Sequence, residues 1–398
     1  MTSLSERLTK MAASETVAMN QKSKDLQAQG IDIINLSVGE PDFNTPDHIK
    51  TALKKAVDDN YSFYPPVAGY PELRKAIVKK FKNENNLDFE PDQVVVCSGA
   101  KHCIVNVMLS IVDPDDEVII PAPYWVSYVE QVKLCGGKNV VLNTTLENDF
   151  KITPDQLEKA ITPKTKVFLI CSPSNPTGTL YNREELEGLA KVLSKHERII
   201  IIADEIYEHI NFTGRHESIG QFDYIKDRVV VVNGVSKGYA MTGYRIGYLA
   251  APLWLAKAVI KLQGQFTSGA TSAAQIASVT ALTADQSSTR KMNVAFKRRR
   301  DYVLERIKKI EKVKCSTPDG AFYVFPDMSE YYGKSYDGNT IRNSSDLCMY
   351  LLEKGHIATV PGSAFGEDKC IRISFATSDE KLVKAMDRLE NALKSLKD

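Results

Sequence analysis

No two of the seven cysteines in this 398-residue chain, at 97, 103, 135, 171, 315, 348 and 370, form a C-x-x-C pair, and no histidine joins them at ligand spacing. A zinc ribbon and a redox dithiol are thereby excluded, and an odd number of thiols in mostly apolar surroundings reads as the reduced, buried set of a cytoplasmic protein. The six histidines form no H-E-x-x-H pattern, so no metal is implied. An excess of one charge is missing too. With 51 basic against 50 acidic side chains the formal net charge is +1, which asks for neither nucleic acid nor an anionic membrane. The sharpest basic run, Lys297-Arg298-Arg299-Arg300, is followed by Asp301 and Glu305 and is expected on a solvated helix face. Long hydrophobic runs are absent: the nearest approach, residues 239–260, is interrupted by Arg245, two glycines and a proline and does not read as a membrane span. The opening MTSLSERLTKM lacks the apolar stretch of a signal peptide and carries an acidic residue that transit peptides avoid. No internal repeat or low-complexity linker breaks the chain.

What is present is a rhythm. Hydrophobic residues at 43% and charged residues at 25% suit a soluble globular protein, and the length suits two domains. From about residue 70 to 290, short apolar runs alternate with amphipathic helical stretches. The runs Val94-Val95-Val96-Cys97, Glu117-Val118-Ile119-Ile120, Val167-Phe168-Leu169-Ile170, Ile199-Ile200-Ile201-Ile202 and Val229-Val230-Val231-Val232 are β-branched and continuous, as strands covered on both faces are. Residues 183–195 are expected to form one of the intervening helices, capped by Asn182. The α/β alternation predicts a mostly parallel sheet wrapped by helices. Beyond about 290 a long helical pattern leads to residues 321–325 and 371–375, two alternating strands with helices around them. The expected division is a large domain over 48–290 and a smaller α+β domain built from 1–47 and 291–398.

Each unusual cluster falls just after one of these runs, and in open α/β sheets ligands bind at the carboxyl ends of strands. After the first run, Gly99, Ala100 and Lys101 open an apolar helix whose leading N–H groups can seat a phosphate. After the second stands Trp125, able to stack on a planar heterocycle or simply to fill a core. The third leads to Asn175 between Pro173 and Pro176, a plain turn or one that holds its amide as a directional donor. The fourth ends in Asp204-Glu205-Ile206-Tyr207. A carboxylate at a buried strand end is costly without a partner, and a protonated pyridine nitrogen would satisfy Asp204, with Tyr207 in reach of the ring's phenolic oxygen. The fifth runs into Ser236-Lys237-Gly238-Tyr239-Ala240-Met241-Thr242-Gly243-Tyr244-Arg245. A lysine amine attacks an aldehyde where burial or nearby cations lower its pKa, while the Ser236 hydroxyl and the forked Arg245 guanidinium suit a phosphate. Pyridoxal 5'-phosphate carries both an aldehyde and a dianionic tail.

Together these residues resemble the aspartate aminotransferase family, the class I aminotransferases among the fold-type-I pyridoxal phosphate enzymes. The likeness extends from Ser37-Val38-Gly39-Glu40-Pro41-Asp42-Phe43 to Arg372-Ile373-Ser374-Phe375-Ala376 and rests on Ser-Asn-Pro-Thr-Gly, Asp-Glu-Ile-Tyr and Ser-Lys-Gly-Tyr-Ala-Met-Thr-Gly-Tyr-Arg in that order. The resemblance implies a seven-stranded sheet in the large domain and a homodimer with shared active sites. It implies that Lys237 is the Schiff-base lysine and Asp204 the partner of the pyridine nitrogen, with Tyr207 and Asn175 on the ring oxygen and Trp125 stacked on the ring. It places Gly99, Ala100, Ser236 and Arg245 at the phosphate, with Tyr64 reaching the phosphate of the neighbouring subunit, and it places the substrate's α-carboxylate at Gly39 and Arg372. The implied partners are amino acids and 2-oxo acids, between which the amino group passes reversibly.

For the side chain of the substrate the resemblance divides. Some branches grip a distal carboxylate with an arginine from the second subunit, but the comparable stretch here, Gly264-Gln265-Phe266-Thr267-Ser268, holds no cation. Another branch uses a lysine and a threonine that match Lys101 and Thr16, which implies L-aspartate with 2-oxoglutarate. Broad-specificity, aromatic or prephenate use within the same family is the alternative, although members of that branch that accept prephenate tend to carry a basic residue where Ala12 stands.

Overall fold

The computed structural model describes residues 4–397, so the outermost residues assigned to the smaller domain, 1–3 and 398, lie outside it. The apolar runs form a seven-stranded sheet made of β1 (Val94–Cys97), β2 (Glu117–Ala122), β3 (Lys138–Asn143), β4 (Thr165–Cys171), β5 (Ile200–Asp204), β6 (Val229–Gly234) and β7 (Gly247–Ala250), in the order β1-β7-β6-β5-β4-β2-β3. β6, β5, β4, β2 and β3 run parallel. β7 lies antiparallel to both β6 and β1. Two reversals restore direction, so β1 points the same way as β6. The carboxyl ends of β1, β2, β4, β5 and β6 therefore share one edge with the amino end of β7, and the clusters singled out in the sequence after these strands leave the sheet there.

Side chains alternate across a strand, so a strand covered on both sides needs apolar residues at every position. Phe168, Ile201, Val231 and Tyr248 face one layer with Leu186 and Leu189 of the helix Arg183–Ser194. Leu169, Ile202, Val232 and Leu249 face the other with Ile104 and Val107 of the helix Ala100–Ile111 and Val259 of Leu253–Phe266. Every residue of β1, β5, β6 and β7 is buried. The helix Arg183–Ser194 starts where its sequence signal places it: the Glu185 N–H donates to Asn182 Oδ1 at 2.9 Å and the Asn182 N–H donates to Glu185 Oε2 at 2.8 Å. Two strands carried no such signal. β3 is an edge strand with no fully buried residue, and its short apolar stretch Val140-Val141-Leu142 is flanked by Lys138, Asn139 and Asn143. β7 hides inside the 239–260 window, where α-helix begins only at Leu253, and among the described residues no helix is long and apolar enough to cross a membrane.

A second core draws chiefly on the chain's two ends. Its three-stranded antiparallel sheet comprises β8 (Tyr323–Val324), β9 (Val360–Pro361) and β10 (Ile371–Ser374) in the order β9-β10-β8, flanked by the helices Ser287–Ile307 and Asp379–Lys394. The N-terminal segment joins this core through Ile34–Asn35, which pairs in parallel with Ile357–Ala358. Residues 371–375 alternate apolar with polar side chains as the sequence pattern has it, and every residue of β10 is buried, because Arg372 and Ser374 face a second packed surface rather than water. The basic run departs from expectation. Lys297 and Arg298 are exposed, but Arg299 and Arg300 are buried. Arg299 forks onto Asp42 at 2.7 and 3.0 Å and reaches Asp379 at 3.0 Å, and Arg300 donates to the Pro318 carbonyl at 3.0 Å. Paired and hydrogen-bonded guanidinium groups tolerate burial that a free charge does not.

The reciprocal cap sets a measurable stability increment. Asn182→Ala is expected to cost about 1 kcal/mol, read as a lower denaturant midpoint with an unchanged slope.

Candidate active site

The shared strand edge opens into a cavity of about 530 Å³ lined by Gly39, Ala100, Lys101, Trp125, Asn175, Asp204, Tyr207, Ser236, Lys237, Arg245 and Arg372, with Thr16 contributed by the helix Glu15–Ala28. Residues more than 300 positions apart thus meet because strand direction, not sequence distance, decides where loops converge. Tyr64 does not join them: it is 93% exposed and outside this cavity.

The turn after β6 carries Lys237 inward. Its Nζ donates to the Gly39 carbonyl and lies 5.6 Å from the Tyr207 ring centroid. Burial pushes the amine down to about 8; the Arg372 and Arg245 charges add to the effect and Glu40 opposes it. At the end of β5, where Asp204 is level with Cys171 of β4 and Val232 of β6, the carboxylate is 3% exposed. Burial raises it to about 6, against the Tyr128 hydroxyl, which donates to Oδ2 at 2.6 Å, and the Ile206 N–H, which donates to Oδ1 at 3.2 Å. An amine that becomes a free base just above neutrality thus shares a cavity with a carboxyl that ionises just below it. Groups tuned in this way mark proton-transfer chemistry.

Behind them lies an anion seat. The helix Ala100–Ile111 begins at the edge, and its leading N–H groups have no partner within the helix. Arg245 adopts a left-handed backbone, φ 56°, and donates from Nη1 to the Thr242 carbonyl at 2.9 Å and from Nη2 to the Ser98 carbonyl at 3.2 Å. Holding a non-glycine residue there costs free energy, a strain found where a side chain must be aimed. Gly99 makes the approach possible: with φ at 90°, an added Cβ would stand 2.2 Å from Arg245 Nη2. Lys101 at the mouth lies 4.9 Å from the Trp125 ring centroid, a cation–π distance.

Arg372, in β10, reaches the cavity from the second core. It is 1% exposed, donates from Nη1 to Asn175 Oδ1 at 3.0 Å and from Nη2 to the Ser37 carbonyl at 2.6 Å, and has the Tyr323 and Phe365 rings at 4.5 and 5.1 Å. Its Nε has no hydrogen-bond partner. A buried, rigidly held guanidinium with an uncommitted N–H is suited to a carboxylate that arrives from outside. The hydroxyls of Tyr207 and Tyr323 lie 2.9 Å apart at the cavity wall, tying the segment after β5 to β8.

Sequence reasoning missed Tyr128 and Tyr323. Asking which donor satisfies a buried Asp204 would have pointed to a phenol near Trp125, but nothing local identifies it. Tyr323 lies in β8, whose register with β10 pairs it with Ser374, a proximity invisible before folding. The other unflagged residues of the lining include Ser14, Asn20, Cys171 and Thr242.

The arrangement fits pyridoxal phosphate on this chain's own features: an amine near its working pKa for the aldehyde, the glycine-backed Arg245 with Ser236 and a helix start for the phosphate, Trp125 for the ring face and buried Asp204 for a cationic ring nitrogen. In the cofactor-free protein, acetic anhydride labelling followed by peptide mapping should modify Lys237 with a midpoint near pH 8, because the lowered pKa makes the free amine available earlier. Exposed lysines should label with midpoints of about 10.4.

Residues 31–389 match the family described as aminotransferase class I and II. The chain is 45% identical over 400 residues to the bifunctional aspartate aminotransferase and glutamate/aspartate-prephenate aminotransferase of Petunia hybrida, a match that covers 99% of this chain and 84% of the relative. Its structure is similar to the aspartate aminotransferase of Rhizobium meliloti, with a TM-score of 0.96 and 41% identity over 100% of both chains. It is also similar to the Thermus thermophilus aspartate aminotransferase with maleate, with a TM-score of 0.93 and 39% identity over 98% of this chain and 100% of the other. A matched span that takes in the seven-stranded sheet, most of the second core and every residue of the cavity except Ser14, Thr16, Val17 and Asn20 places the chain in one group: it belongs to the class I and II aminotransferases.

Proposed function

We propose that this chain catalyses the reversible transfer of the amino group between L-aspartate and 2-oxoglutarate, giving oxaloacetate and L-glutamate, with pyridoxal phosphate as cofactor. The observation that carries the reading is the placement of two cations of different burial, Arg372 and Lys101, in the cavity that also holds Lys237. A dicarboxylate substrate needs two such seats. The named relatives act in the same direction: those of Petunia and Rhizobium carry aspartate in their names, and the Thermus structure is titled with the dicarboxylate maleate.

When bound, pyridoxal phosphate supplies an electron sink for the charge left at the substrate's Cα and stores the amino group between the two half-reactions. Asp204 keeps the ring cationic, Tyr207 and Asn175 donate to its oxygen, and Trp125 holds its face. Ser236, Arg245 and the N–H groups at Ala100 hold the phosphate. Arg372, oriented by Asn175 and the Ser37 carbonyl, takes the α-carboxylate beside Gly39. Lys101 and Thr16 take the distal carboxylate. That leaves the Cα–H bond to Lys237, whose Nζ removes the proton as general base and later returns it as general acid. A homodimer completes the site with Tyr64 of a second copy; the exposure of Phe63, Tyr64 and Phe266 supports an interface on that side of the chain. Seven free thiols, four of them buried, suit the cytoplasm.

Prephenate, present in the name of the Petunia relative, is the competing substrate. Ala12 offers no cation to it, being an exposed residue whose N–H donates to Glu130 at 2.9 Å.

Steady-state kinetics with aspartate, phenylalanine and alanine, and with prephenate as acceptor, test the reading. Lys237→Ala should retain cofactor and lose turnover. Arg372→Ala should lower kcat/KM for every amino acid, and Lys101→Ala for aspartate and glutamate selectively, each by roughly 10- to 150-fold, as expected for a charged hydrogen bond worth about 1.5 to 3 kcal/mol. A uniform loss in Lys101→Ala, or a wild-type preference for prephenate over 2-oxoglutarate, would sink the assignment.

A further inference from the structure

The Asp204 carboxylate accepts two hydrogen bonds in the described structure, and only one comes from a side chain. We propose that Tyr128 is a positioning residue that holds Asp204 as an ionised carboxylate aimed at the cofactor's ring nitrogen, and so sets on which of the two partners the shared proton resides. The inference rests on the reading of Asp204 as the ring-nitrogen partner given above.

The geometry isolates this contact. Tyr128 is 1% exposed and its O–H donates to Asp204 Oδ2 at 2.6 Å, so the donor stands on a fully buried ring. The ring is held edge-on to Trp125, with centroids 5.3 Å apart and planes at 83°, within the apolar layer that includes Val132 and Leu169. One side chain thereby links the residue that holds the cofactor's face to the residue that holds its nitrogen. Burial, the Asp204 charge and Cys171 push the phenol well above its ordinary pKa, so Tyr128 remains a donor at every working pH.

The balance at Asp204 is close. Burial drives it toward the protonated acid and the neighbouring Glu205 charge adds to that, while the Tyr128 hydroxyl, the Ile206 N–H and the Lys237 charge favour the carboxylate. Cys171 at the end of β4 and Cys103 from the helix Ala100–Ile111 are the thiols that sense it; burial raises both well above the ordinary thiol value, so neither brings a charge. Among the side chains that oppose protonation, Tyr128 contributes most. Take its hydroxyl away and a backbone N–H is left as the remaining donor. The proton shared between carboxyl and ring nitrogen then moves toward Asp204, and a neutral ring is a weaker electron sink.

Tyr128→Phe removes the donor while keeping the ring against Trp125, and Asp204→Asn removes the acceptor. In the cofactor-free protein, the infrared carbonyl band of the protonated carboxyl, identified by its loss in Asp204→Asn, should titrate with a midpoint near 6 in the wild type. In Tyr128→Phe that midpoint should rise by about one pH unit. In the holoenzyme loaded with ring-15N pyridoxal phosphate, the wild-type nitrogen should report a protonated pyridine at neutral pH, and Tyr128→Phe should shift it toward the neutral, hydrogen-bonded form. Turnover should fall about tenfold with KM for aspartate changed by less than about twofold, since one pK unit corresponds to a factor of ten. A variant that merely packs less well would lower the melting temperature and leave both spectroscopic readouts in place; that outcome overturns the proposal. A wild-type ring nitrogen that is neutral, or one that Asp204→Asn leaves unchanged, instead overturns the assignment of Asp204 to the ring, while the cofactor-free titration still judges whether Tyr128 governs its ionisation.

Discussion

Two opposite charges drawn out of water at the same strand edge impose the constraint around which the rest of the molecule is organised. A buried carboxylate and a buried ammonium each carry a desolvation penalty of several kcal/mol, which a protein can relieve by neutralising the group. Here Asp204 is raised to about 6 and Lys237 lowered to about 8, so burial brings both titrations close to neutral pH without removing either group from use. The Tyr128 and Ile206 donors on one side and the Gly39 carbonyl on the other hold them apart as separately addressed groups.

That balance needs both cores. The seven-stranded sheet supplies the amine, the carboxyl and the anion seat, all from one edge, because β7 reverses between β6 and β1. The second core supplies Arg372 and Tyr323, and the N-terminal segment supplies Ser37 and Gly39. Where these meet, Asn175 holds Arg372 and Tyr323 holds Tyr207, so the seat for a substrate carboxylate is tied by single hydrogen bonds to the groups assigned to the cofactor ring. A shift in one is felt by the other, since buried hydrogen-bonded networks respond as units.

Much of the fold was legible before folding because its strands are covered on both faces, which forces unbroken runs such as Val229-Val230-Val231-Val232. The cavity was legible for a related reason: residues of distinctive chemistry followed those runs, and parallel strands deliver them to one place. β3 and β7 escaped, the first because an edge strand keeps polar residues, the second because four residues embedded between Arg245 and Pro252 carry too little pattern. The burial of Arg299 escaped because its partners, Asp42 and Asp379, lie 257 and 80 residues away. The same distance hid Tyr128, which sits 76 residues from the carboxylate it serves.

Residue types and their order determined by themselves the strand runs, the helix cap at Asn182 and the amine, carboxylate and guanidinium needed for aldehyde and phosphate chemistry, since these follow from local pattern and from the side chains' intrinsic properties. Only the tertiary structure decided the ionisation behaviour of Lys237 and Asp204, the orientation of Arg372 between two rings and the contact of Tyr128 with Asp204. The physical reason is that burial and hydrogen-bond partners are properties of three-dimensional neighbourhood, and the free energy of a charge depends far more on that neighbourhood than on the residues beside it in the chain.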